Sequence, residues 1–333
     1  MNKDKKIFGI DISKGVFDVV DSEGNYYQFA NNLKHFLKFL KLLDGNSHCV
    51  MEATGYYHCQ LACFLVENNI NISVENPLSV KRFIQMRLSK IKTDKSDAKM
   101  ICLYGQQVDL KLWKGFSKNQ SECLQLMRLN DTYTKQSTAL KNKIDGEQSL
   151  GSPSKLVLLS LKRSLKTLQK EMGIVEARLM DLVKEEHSEI LANLESIPGL
   201  GRKTATMLIV LTDGFNRFET ASQLCSFSGL TPLIRQSGSS VRGKARISKI
   251  GNAKLRNLLF MCSFTACKCN KACRELYERI VSTGKSKKLA LIAVCNKLLK
   301  QAFAIVKSGN KYDNTYKSER PAIEKNKLNI ACF

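Results

Sequence analysis

Long apolar runs and export signals are lacking in this sequence. Its first residues, MNKDKKIFGID, lead from charged side chains directly into a short apolar segment, without the long apolar stretch of a signal peptide. No apolar run approaches the length of a membrane-spanning helix, and no lipidation signal is present. We therefore expect a cytoplasmic protein that has no membrane partner.

Paired zinc-binding cysteines are also lacking, although the chain has 12 cysteines. The densest group comprises Cys262, Cys267, Cys269 and Cys273, and its spacing differs from the C-x-x-C pairs of zinc ribbons. The segment that carries them predicts one continuous helix. Small, reduced and buried thiols are therefore the favoured interpretation, with a zinc site as the alternative.

Acidic residues are scarce relative to basic ones. The 333-residue chain has 53 Lys and Arg against 30 Asp and Glu, which gives a net charge of +23. Such a field attracts polyanions, and nucleic acid is the commonest polyanionic partner of proteins. The charge therefore favours a nucleic-acid-binding protein, without indicating whether it cuts its ligand. The length suffices for two domains and a connector.

The first 117 residues predict an α/β domain. Three short strands are expected over residues 6–29, then a helix in NLKHFLKFLKLL, a strand in HCVMEA, a helix over about 57–68 and a strand in INISVENP. A last helix opens in TDKSDAKMICLYG, with Thr93 or Asp94 as its N-cap. This order of elements is typical of the ribonuclease-H-like fold, which we predict for residues 1–117.

Four carboxylates fall at the ends of predicted elements in this domain. Asp11 and Glu52 each end an apolar strand, where a structural strand would favour a β-branched or aromatic residue. Asp94 and Asp97 are three residues apart in the first turn of the last helix, so they share a face. In a ribonuclease-H-like fold all four converge, and cations relieve their repulsion. We predict a site for two Mg²⁺ or Mn²⁺ ions, which prefer hard oxygen ligands.

Each carboxylate also has an ordinary explanation. Asp94 and Asp97 could stabilise the N-terminus of their helix, Glu52 could be a surface residue at a strand end, and Asp11 could form a turn before Gly15. The coincidence of all four at the places that the fold requires is what favours a catalytic site.

Residues 118–195 predict two long helices that are separated at Gly151-Ser152-Pro153. The second has hydrophobic residues at alternating spacings of three and four, as in a coiled coil. The positions of this seam are Leu158, Leu161, Leu165, Leu168, Met172, Val175, Leu179 and Leu182. The seam could close an intramolecular hairpin or form a subunit interface, and the sequence leaves both open.

The segment SIPGLGRKTA begins a second globular region, predicted over residues 196–310 and followed by a polar tail over 311–333. Its pattern matches a helix-hairpin-helix motif, in which glycines permit a tight turn and the next helix offers N–H groups and cations to a phosphate. The predicted nucleic-acid contacts are Gly199, Gly201, Arg202 and Lys203. An ordinary Pro-Gly connection between helices is the alternative.

A Gly- and Ser-rich basic loop lies within this region, over residues 228–251, and includes Ser237, Ser239 and Ser240. Its predicted phosphate-binding residues are Arg235, Arg242, Lys244, Arg246 and Lys249. Either the loop only holds phosphate, or one hydroxyl attacks a phosphodiester while the cations stabilise the transition state. No histidine neighbours the loop, so a serine nucleophile would need activation by a metal or by a carboxylate of the other domain.

The sequence resembles the DEDD transposases of the IS110 insertion-sequence family, which are relatives of the pilin-gene invertases. The stretches GIDISKGVFDV, VMEATGYY, KTDKSDAKMI, SIPGLGRKTA and GLTPLIRQSGSSVRGKARISKIGNAKLR carry the resemblance, in this order, over most of residues 6–260. It implies a RuvC-like domain with the acidic tetrad Asp11, Glu52, Asp94 and Asp97. It also implies a coiled-coil linker and a C-terminal domain whose catalytic serine is Ser237.

The resemblance further implies a homo-oligomer, a dimer of dimers, in which the carboxylates of one subunit meet the serine of another. The serine forms a covalent phosphoserine link to DNA. A structured non-coding RNA pairs with donor and target DNA and supplies the specificity. Such a role implies a prokaryotic, nucleoid-associated location.

Three functions remain in competition. The leading one is an RNA-guided DNA transposase that uses metal ions and a serine. The second is a RuvC-type endonuclease that uses water, with the serine loop only holding phosphate. The third is a non-catalytic scaffold that binds nucleic acid. The Ser237→Ala and Asp11→Ala variants separate them, because each function depends on a different subset of these residues.

Overall fold

The computed structural model describes residues 5–53, 55–88, 93–233, 236–237, 241–242 and 246–315. The chain forms two compact units, Met1–Ser117 and Lys118–Phe333. The finer division of the second unit at residue 195, and the separate tail after residue 310, remain predictions.

The N-terminal unit alternates strands and helices. Its elements are β1 (Lys6–Ile12), β2 (Val16–Asp21), β3 (Tyr26–Ala30), α1 (Leu33–Leu40), β4 (Ser47–Glu52), α2 (His58–Glu67), β5 (Asn71–Glu75), α3 (Pro77–Met86) and α4 (Asp94–Gln107). The strands form one sheet in the order β3-β2-β1-β4-β5. Strand β1 is antiparallel to β2 and parallel to β4. The predicted mixed α/β class is confirmed for this unit.

Helices cover both faces of this sheet. Phe8 and Ile10 of β1 belong to a core cluster with residues of α1 and α2, whereas Ile7 packs with residues of α3 and α4. Because successive side chains of a strand point to opposite faces, Gly9 and Asp11 lie on the face that α4 covers.

Helix α3 is not predicted by the sequence pattern, in which Pro77 suggests only the end of a strand. In the structure Pro77 occupies the first turn of the helix, where its missing N–H is not needed. The side chain of Asn76 accepts a hydrogen bond from the N–H of Leu78 and so caps the helix.

The C-terminal unit is mostly helical. Its elements are α5 (Lys118–Gln148), α6 (Lys155–Glu195), α7 (Arg202–Thr212), α8 (Ala221–Ser228), β6 (Pro232–Leu233), β7 (Gln236–Ser237), β8 (Val241–Arg242), β9 (Arg246–Ile247), α9 (Ala253–Cys269), α10 (Lys271–Ser282) and α11 (Lys287–Ser308). Its core draws buried residues from the helices α5 to α11. The short strands pair as β6 with β9 and β7 with β8.

Helices α5 and α6 pack against each other, and the break predicted at 151–153 lies between them. The Nδ2 of Asn130 donates to Glu176 across the pair at 3.0 Å. The last seam positions, Val175, Leu179 and Leu182, are buried, and the earlier ones are only half-buried. The seam therefore serves an intramolecular hairpin in its C-terminal half, and a subunit interface at its other half remains a prediction.

The cysteine-rich segment forms two helices, so the prediction of one continuous helix is wrong. Helix α9 ends at Cys269, Asn270 has an extended backbone, and α10 follows at once. The buried side chain of Asn270 accepts from the N–H of Cys273 and caps α10. The prediction that the four cysteines are buried is correct for Cys273 alone, because Cys262 and Cys267 are half-buried and Cys269 is exposed.

Helix α11 is long and apolar enough to cross a membrane by length and composition alone, and it is the one such helix in the described residues. The sequence expectation that no apolar stretch approaches this length is therefore too strict. Its buried residues, among them Val294, Leu298 and Ala302, belong to the core of the C-terminal unit. This packing is typical of the central helix of a globular domain.

Candidate functional site

Helix α4 packs directly on β1 at Gly9. A Cβ atom added to Gly9 would lie 2.1 Å from the backbone nitrogen of Cys102 and 2.4 Å from the carbonyl oxygen of Ala98. Only a residue without a side chain allows such an approach. Asp11 is two residues further along the same face of β1, so this contact directs the first turn of α4 towards Asp11.

The first turn of α4 is fixed by a capping box at Thr93, which is one of the two N-cap residues that the sequence predicts, the other being Asp94. The Thr93 hydroxyl accepts from the N–H of Ser96 at 3.1 Å, and the Ser96 hydroxyl accepts from the N–H of Thr93 at 2.8 Å. Asp94 and Asp97 lie in this turn, where the helix dipole favours negative charge.

A row of polar side chains crosses the sheet at the level of Asp11. In the antiparallel pairs, Asp11 is opposite Asp18 of β2, and Asp18 is opposite Gln28 of β3. Neighbouring residues across a sheet point to the same face, so these side chains lie side by side.

The row continues on the parallel side of the sheet. The register of β1 with β4 pairs Ile10 with Met51, so the next residues, Asp11 and Glu52, are neighbours. Glu52 is in turn opposite Glu75 of β5. We call this set the carboxylate row: Asp18, Asp11, Glu52 and Glu75.

The electrostatics of Asp11 reflect this crowding. Burial raises the pKa of Asp11 from 3.8 to about 6, and the negative charges of Asp97, Asp94, Glu52 and Asp18 add to the increase in that order. The four carboxylates predicted from the sequence therefore lie within electrostatic reach of one another, on one face of the sheet.

Asp18 belongs to the site but is missed by the sequence analysis. It is only 2% exposed and accepts hydrogen bonds from the Tyr26 hydroxyl at 2.5 Å and the Gln28 amide at 3.0 Å. The bond to Asp18 raises the pKa of Tyr26 to about 12. Lys95 of α4 lies over the Tyr26 ring, 4.9 Å from its centroid. A carboxylate inside the apolar strand VFDVVD is the signal that could have identified it.

Glu75 closes the other end of the row. It accepts a hydrogen bond from the Tyr104 hydroxyl of α4 at 3.2 Å. Burial raises the pKa of Glu75, although this hydrogen bond opposes the increase. A second tyrosine thus ties α4 to the row, at the end opposite Tyr26.

The donor set of this site fits a hard divalent cation, because it consists of carboxylate oxygens alone. The side chains do not form a closed coordination shell, since in the described residues no group of three or more His, Cys, Asp or Glu has metal-binding spacing. Carboxylates that share a face without a counter-ion repel one another. The chemistry of the site therefore suits a cation.

The predicted helix-hairpin-helix segment connects α6 to α7. Gly199 has φ of +94°, and a Cβ added to it would lie 2.6 Å from the Cα of Ala266 in α9. Gly201 is the N-cap of α7 and provides no side-chain cap. Arg202 and Lys203 follow in the first turn, and both side chains are largely exposed.

The serine loop contains two short strand pairs, which frame Ser237. Strand β7 pairs with β8, with Ser237 opposite Val241, and β6 pairs with β9. Arg246 of β9 and Lys249 are exposed. Four predicted residues lie outside the described part of the chain: Arg235, Ser239, Ser240 and Lys244. The side chains of Ser237 and Arg242 lie outside it as well.

Two family models match the chain. The DEDD transposase model of the IS110 type, described as "Transposase", matches residues 8–147. The model described as "Transposase IS116/IS110/IS902 family" matches residues 191–278. The first match includes the whole carboxylate row, and the second includes the serine loop.

Curated relatives match over most of the chain. The pilin gene-inverting protein of Moraxella lacunata is 27% identical over 324 residues, which cover 93% of this chain and 98% of the relative. The transposase for insertion sequence element IS1111A of Coxiella burnetii is 28% identical over 287 residues, or 77% of this chain and 76% of the relative. These matches span both units.

Proposed function

We propose that this chain cuts and joins DNA through a composite site of metal-binding carboxylates and a serine nucleophile. The chain belongs to the IS110 family of DEDD transposases and is therefore a DNA transposase or recombinase. The observation that carries this proposal is the placement of Asp11 beside Glu52 in the sheet, with Asp94 and Asp97 in the first turn of the helix that crosses β1. Burial, and then the charges of these carboxylates, raise the pKa of Asp11. Repulsion within a cluster of carboxylates destabilises the folded protein, so such a cluster is typical of a functional site rather than a structural one.

The N-terminal unit is proposed to have a ribonuclease-H-like, RuvC-like fold, in agreement with its mixed sheet and with α4 across β1. Membership of the DEDD family indicates dependence on a divalent metal. We propose two Mg²⁺ or Mn²⁺ ions, held by Asp11, Glu52, Asp94 and Asp97. Ions bound there would stabilise the attacking and leaving oxygens of a phosphoryl transfer.

The proposed nucleophile is the Oγ of Ser237, by resemblance to the family and by its place in a basic loop. Its attack forms an O–P bond and breaks the bond from phosphorus to the leaving oxygen, which takes up a proton. A hydroxyl of a second DNA strand then attacks the phosphoserine, and Ser237 recovers its proton. The cations of the loop, among them Arg246 and Lys249, would neutralise the charge on the phosphate oxygens.

The remaining parts of the proposal concern partners and location. The +23 net charge supports the binding of donor and target DNA together with a structured guide RNA. The half-buried part of the α6 seam supports a homo-oligomer, proposed as a dimer of dimers. The segment from Gly199 to Lys203 is proposed to hold duplex backbone as a helix-hairpin-helix. A cytoplasmic, nucleoid-associated location follows from these partners.

The serine is tested by incubating the full chain with donor and target DNA, the RNA of its element and Mg²⁺, and by looking for a covalent protein–DNA adduct after denaturation. We expect an adduct with the wild type and none with Ser237→Ala. Ser239→Ala and Ser240→Ala are the matched controls, and both should retain it. Cleavage that survives Ser237→Ala but not Asp11→Ala would instead establish a nuclease that uses water, and no chemistry at all would favour the scaffold.

Mixed subunits test the composite site. Asp11→Ala and Ser237→Ala proteins should each be inactive alone, and their mixture should recover part of the wild-type activity if one subunit supplies the carboxylates and another the serine. Glu67→Gln, which changes an exposed carboxylate of α2, should be active alone. A mixture without activity would contradict the composite site and leave the adduct result untouched.

A further inference from the structure

A cavity of about 270 Å³ opens in the C-terminal unit between α5, α6, α7 and α9. Its wall is apolar and rich in methionine, with Met127, Met180 and Met207 beside Leu258. Methionine side chains adapt to flat or irregular ligands and pack well on aromatic rings. The cavity is therefore suited to an apolar, planar group.

Two buried polar atoms of the cavity wall have no hydrogen-bond partner within the described part of the chain. Thr206 and Asn130 are each 6% exposed, and Thr206 Oγ1 and Asn130 Oδ1 are unpartnered. Buried polar atoms normally have a partner, because leaving one unpaired is costly. These two atoms therefore indicate a ligand that hydrogen-bonds inside the cavity.

The orientation of the Asn130 amide defines what that ligand must offer. Asn130 Nδ2 donates to a carboxylate oxygen of Glu176, which can only accept, so the amide cannot be turned round. Asn130 Oδ1 is thus a bare acceptor and requires an N–H or O–H group. The Thr206 hydroxyl can donate or accept.

Three cations line the same cavity: Arg202, Lys203 and Lys254. Each forms an ion pair with a carboxylate of this unit, namely Glu195, Glu176 and Asp131 in the same order. The side chains of Arg202 and Lys203 are largely exposed, so their ion pairs are weak and are screened by salt, and both cations can turn to a phosphate while Glu176 keeps its bond to Asn130. The Lys254–Asp131 pair is half-buried. The N-terminus of α7, which Gly201 leaves without a side-chain cap, adds N–H groups to the same place.

We propose that this cavity binds one unpaired nucleotide of a polynucleotide, with the base among the methionines and the phosphate at Arg202, Lys203 and Lys254. The exocyclic amine of adenine or cytosine donates to Asn130 Oδ1, whereas uracil and thymine carry a carbonyl at that position and offer only the ring N3–H as a donor. A nucleotide is the ligand that combines a planar apolar ring, amine donors and an adjacent phosphate. The inference deepens the proposed nucleic-acid contact at Arg202 and Lys203 by giving it an unpaired nucleotide instead of duplex backbone, and it requires neither the carboxylates nor Ser237.

The test measures base-dependent binding without any cleavage. The full chain carrying Asp11→Asn is titrated by fluorescence anisotropy with hexanucleotides of A, C and U or T, as RNA and as DNA, and with hexamers of the same backbones without bases. We expect A and C hexamers to bind about tenfold more tightly than the base-free hexamer of the same sugar, the gain of one good hydrogen bond. A preference for the RNA hexamers would identify a guide RNA as the source of the nucleotide. A preference for the DNA hexamers would identify a base extruded from a DNA strand as the source.

Two variants separate the cavity from general charge. Thr206→Val keeps the shape and removes the unpartnered hydroxyl, which is the second polar partner that the cavity offers to a base beside Asn130 Oδ1. The melting temperature should be unchanged or higher, and the advantage of A and C over the base-free hexamer should fall. Met180→Trp fills the cavity and should have the same effect. Thr167→Val, at an exposed position of α6, is the matched control and should change nothing.

The proposal is overturned if the base-free hexamers bind as tightly as the A and C hexamers. It is also overturned if Thr206→Val weakens all hexamers by the same factor. Either result leaves the adduct experiment on Ser237 unaffected, because that experiment depends on a different part of the chain.

Discussion

The carboxylate row of the N-terminal unit and the serine loop of the C-terminal unit are built in opposite ways. The row stands on a five-stranded sheet with helices on both faces, and its ends are held by hydrogen bonds from Tyr26 and Tyr104. Ser237 lies on a strand of two residues, framed by another short pair whose residues Leu233 and Arg246 are exposed. Groups that repel one another need a rigid frame to stay together, whereas the proposed nucleophile, Ser237, must lie where a DNA strand can reach it.

The largest effect that tests this contrast is expected at Gly9. Gly9→Ala places a Cβ against the backbone of α4, so either the helix or the strand must move. We expect a loss of about 3 kcal/mol or more in the free energy of unfolding, at the upper end for overpacking, and loss of strand-transfer activity. Urea denaturation measures it. Gly15→Ala, which meets nothing within 4 Å, is the control and should stay within about 0.5 kcal/mol of the wild type.

The next effect concerns pH. The pKa of Asp11 is raised to about 6 in the folded protein against an ordinary 3.8, so the folded state holds this proton more tightly than the unfolded state. The contribution of Asp11 to the free energy of unfolding should therefore be fully present below about pH 4 and be lost as the pH rises through about 6. Asp11→Asn should remove this decrease and be more stable than the wild type at pH 7, by about 1–2 kcal/mol once partial exposure is allowed for.

Divalent cations provide the control for that prediction. Mg²⁺ should raise the melting temperature of the wild type at pH 7, because binding to the folded state alone stabilises it. Mg²⁺ should raise the melting temperature of Asp11→Asn by a smaller amount. An equal increase in both proteins would show that the cation acts elsewhere, and a wild type as stable as Asp11→Asn at pH 7 would remove the case for a crowded site.

A smaller effect is expected where α4 is tied to the row. Tyr104→Phe removes the hydrogen bond to Glu75 but keeps the edge contact of the ring with Phe83. We expect a loss of about 1 kcal/mol in the free energy of unfolding and a reduced rate of strand transfer. Tyr27→Phe, whose ring stacks on Phe29, is the matched change in the same unit. If both variants lost the same stability, the bond to Glu75 would have no special role.

The smallest change in stability is expected in the serine loop. Arg246→Gln and Lys249→Gln alter exposed side chains and should each change the free energy of unfolding by less than about 0.5 kcal/mol. Each should nevertheless weaken DNA binding. The logarithm of the association constant falls with the logarithm of the salt concentration, and the steepness of that fall should decrease by about one, as for a lost phosphate contact. Lys184→Gln, at an exposed position of α6, should leave the slope unchanged. A large loss of stability in Arg246→Gln would contradict the contrast between the two regions.

Local sequence patterns predicted the helices and strands that carry the site, but they missed two residues that lie beside its carboxylates. The capping residue Thr93 and the break at 151–153 follow from turn and capping chemistry, which is local. Asp18 and Glu75 were missed because strand register, which places them beside Asp11 and Glu52, is a property of the folded sheet.

The break between α9 and α10 was missed for the same kind of reason. Asn270 donates to Gln301 and accepts from the hydroxyl of Tyr312, and both residues are distant in sequence. These contacts, together with its capping of α10, hold an extended backbone where the composition favours a helix.

The contact at Gly9 also determines how the acidic turn of α4 can be repositioned. The next side chains on that face of β1 are Ile7 and Asp11, each about 6–7 Å away at the usual rise of a strand. Helix α4 therefore rests in a notch one residue wide, and sliding it along β1 would drive its backbone into one of these side chains. A second close approach lies further along the helix, since a Cβ added to Gly105 would be 2.8 Å from Val50 Cγ2 and 2.9 Å from Ile7 Cγ2. Two such contacts fix the direction of the helix axis as well as its position, so Asp94 and Asp97 are held in register with the sheet.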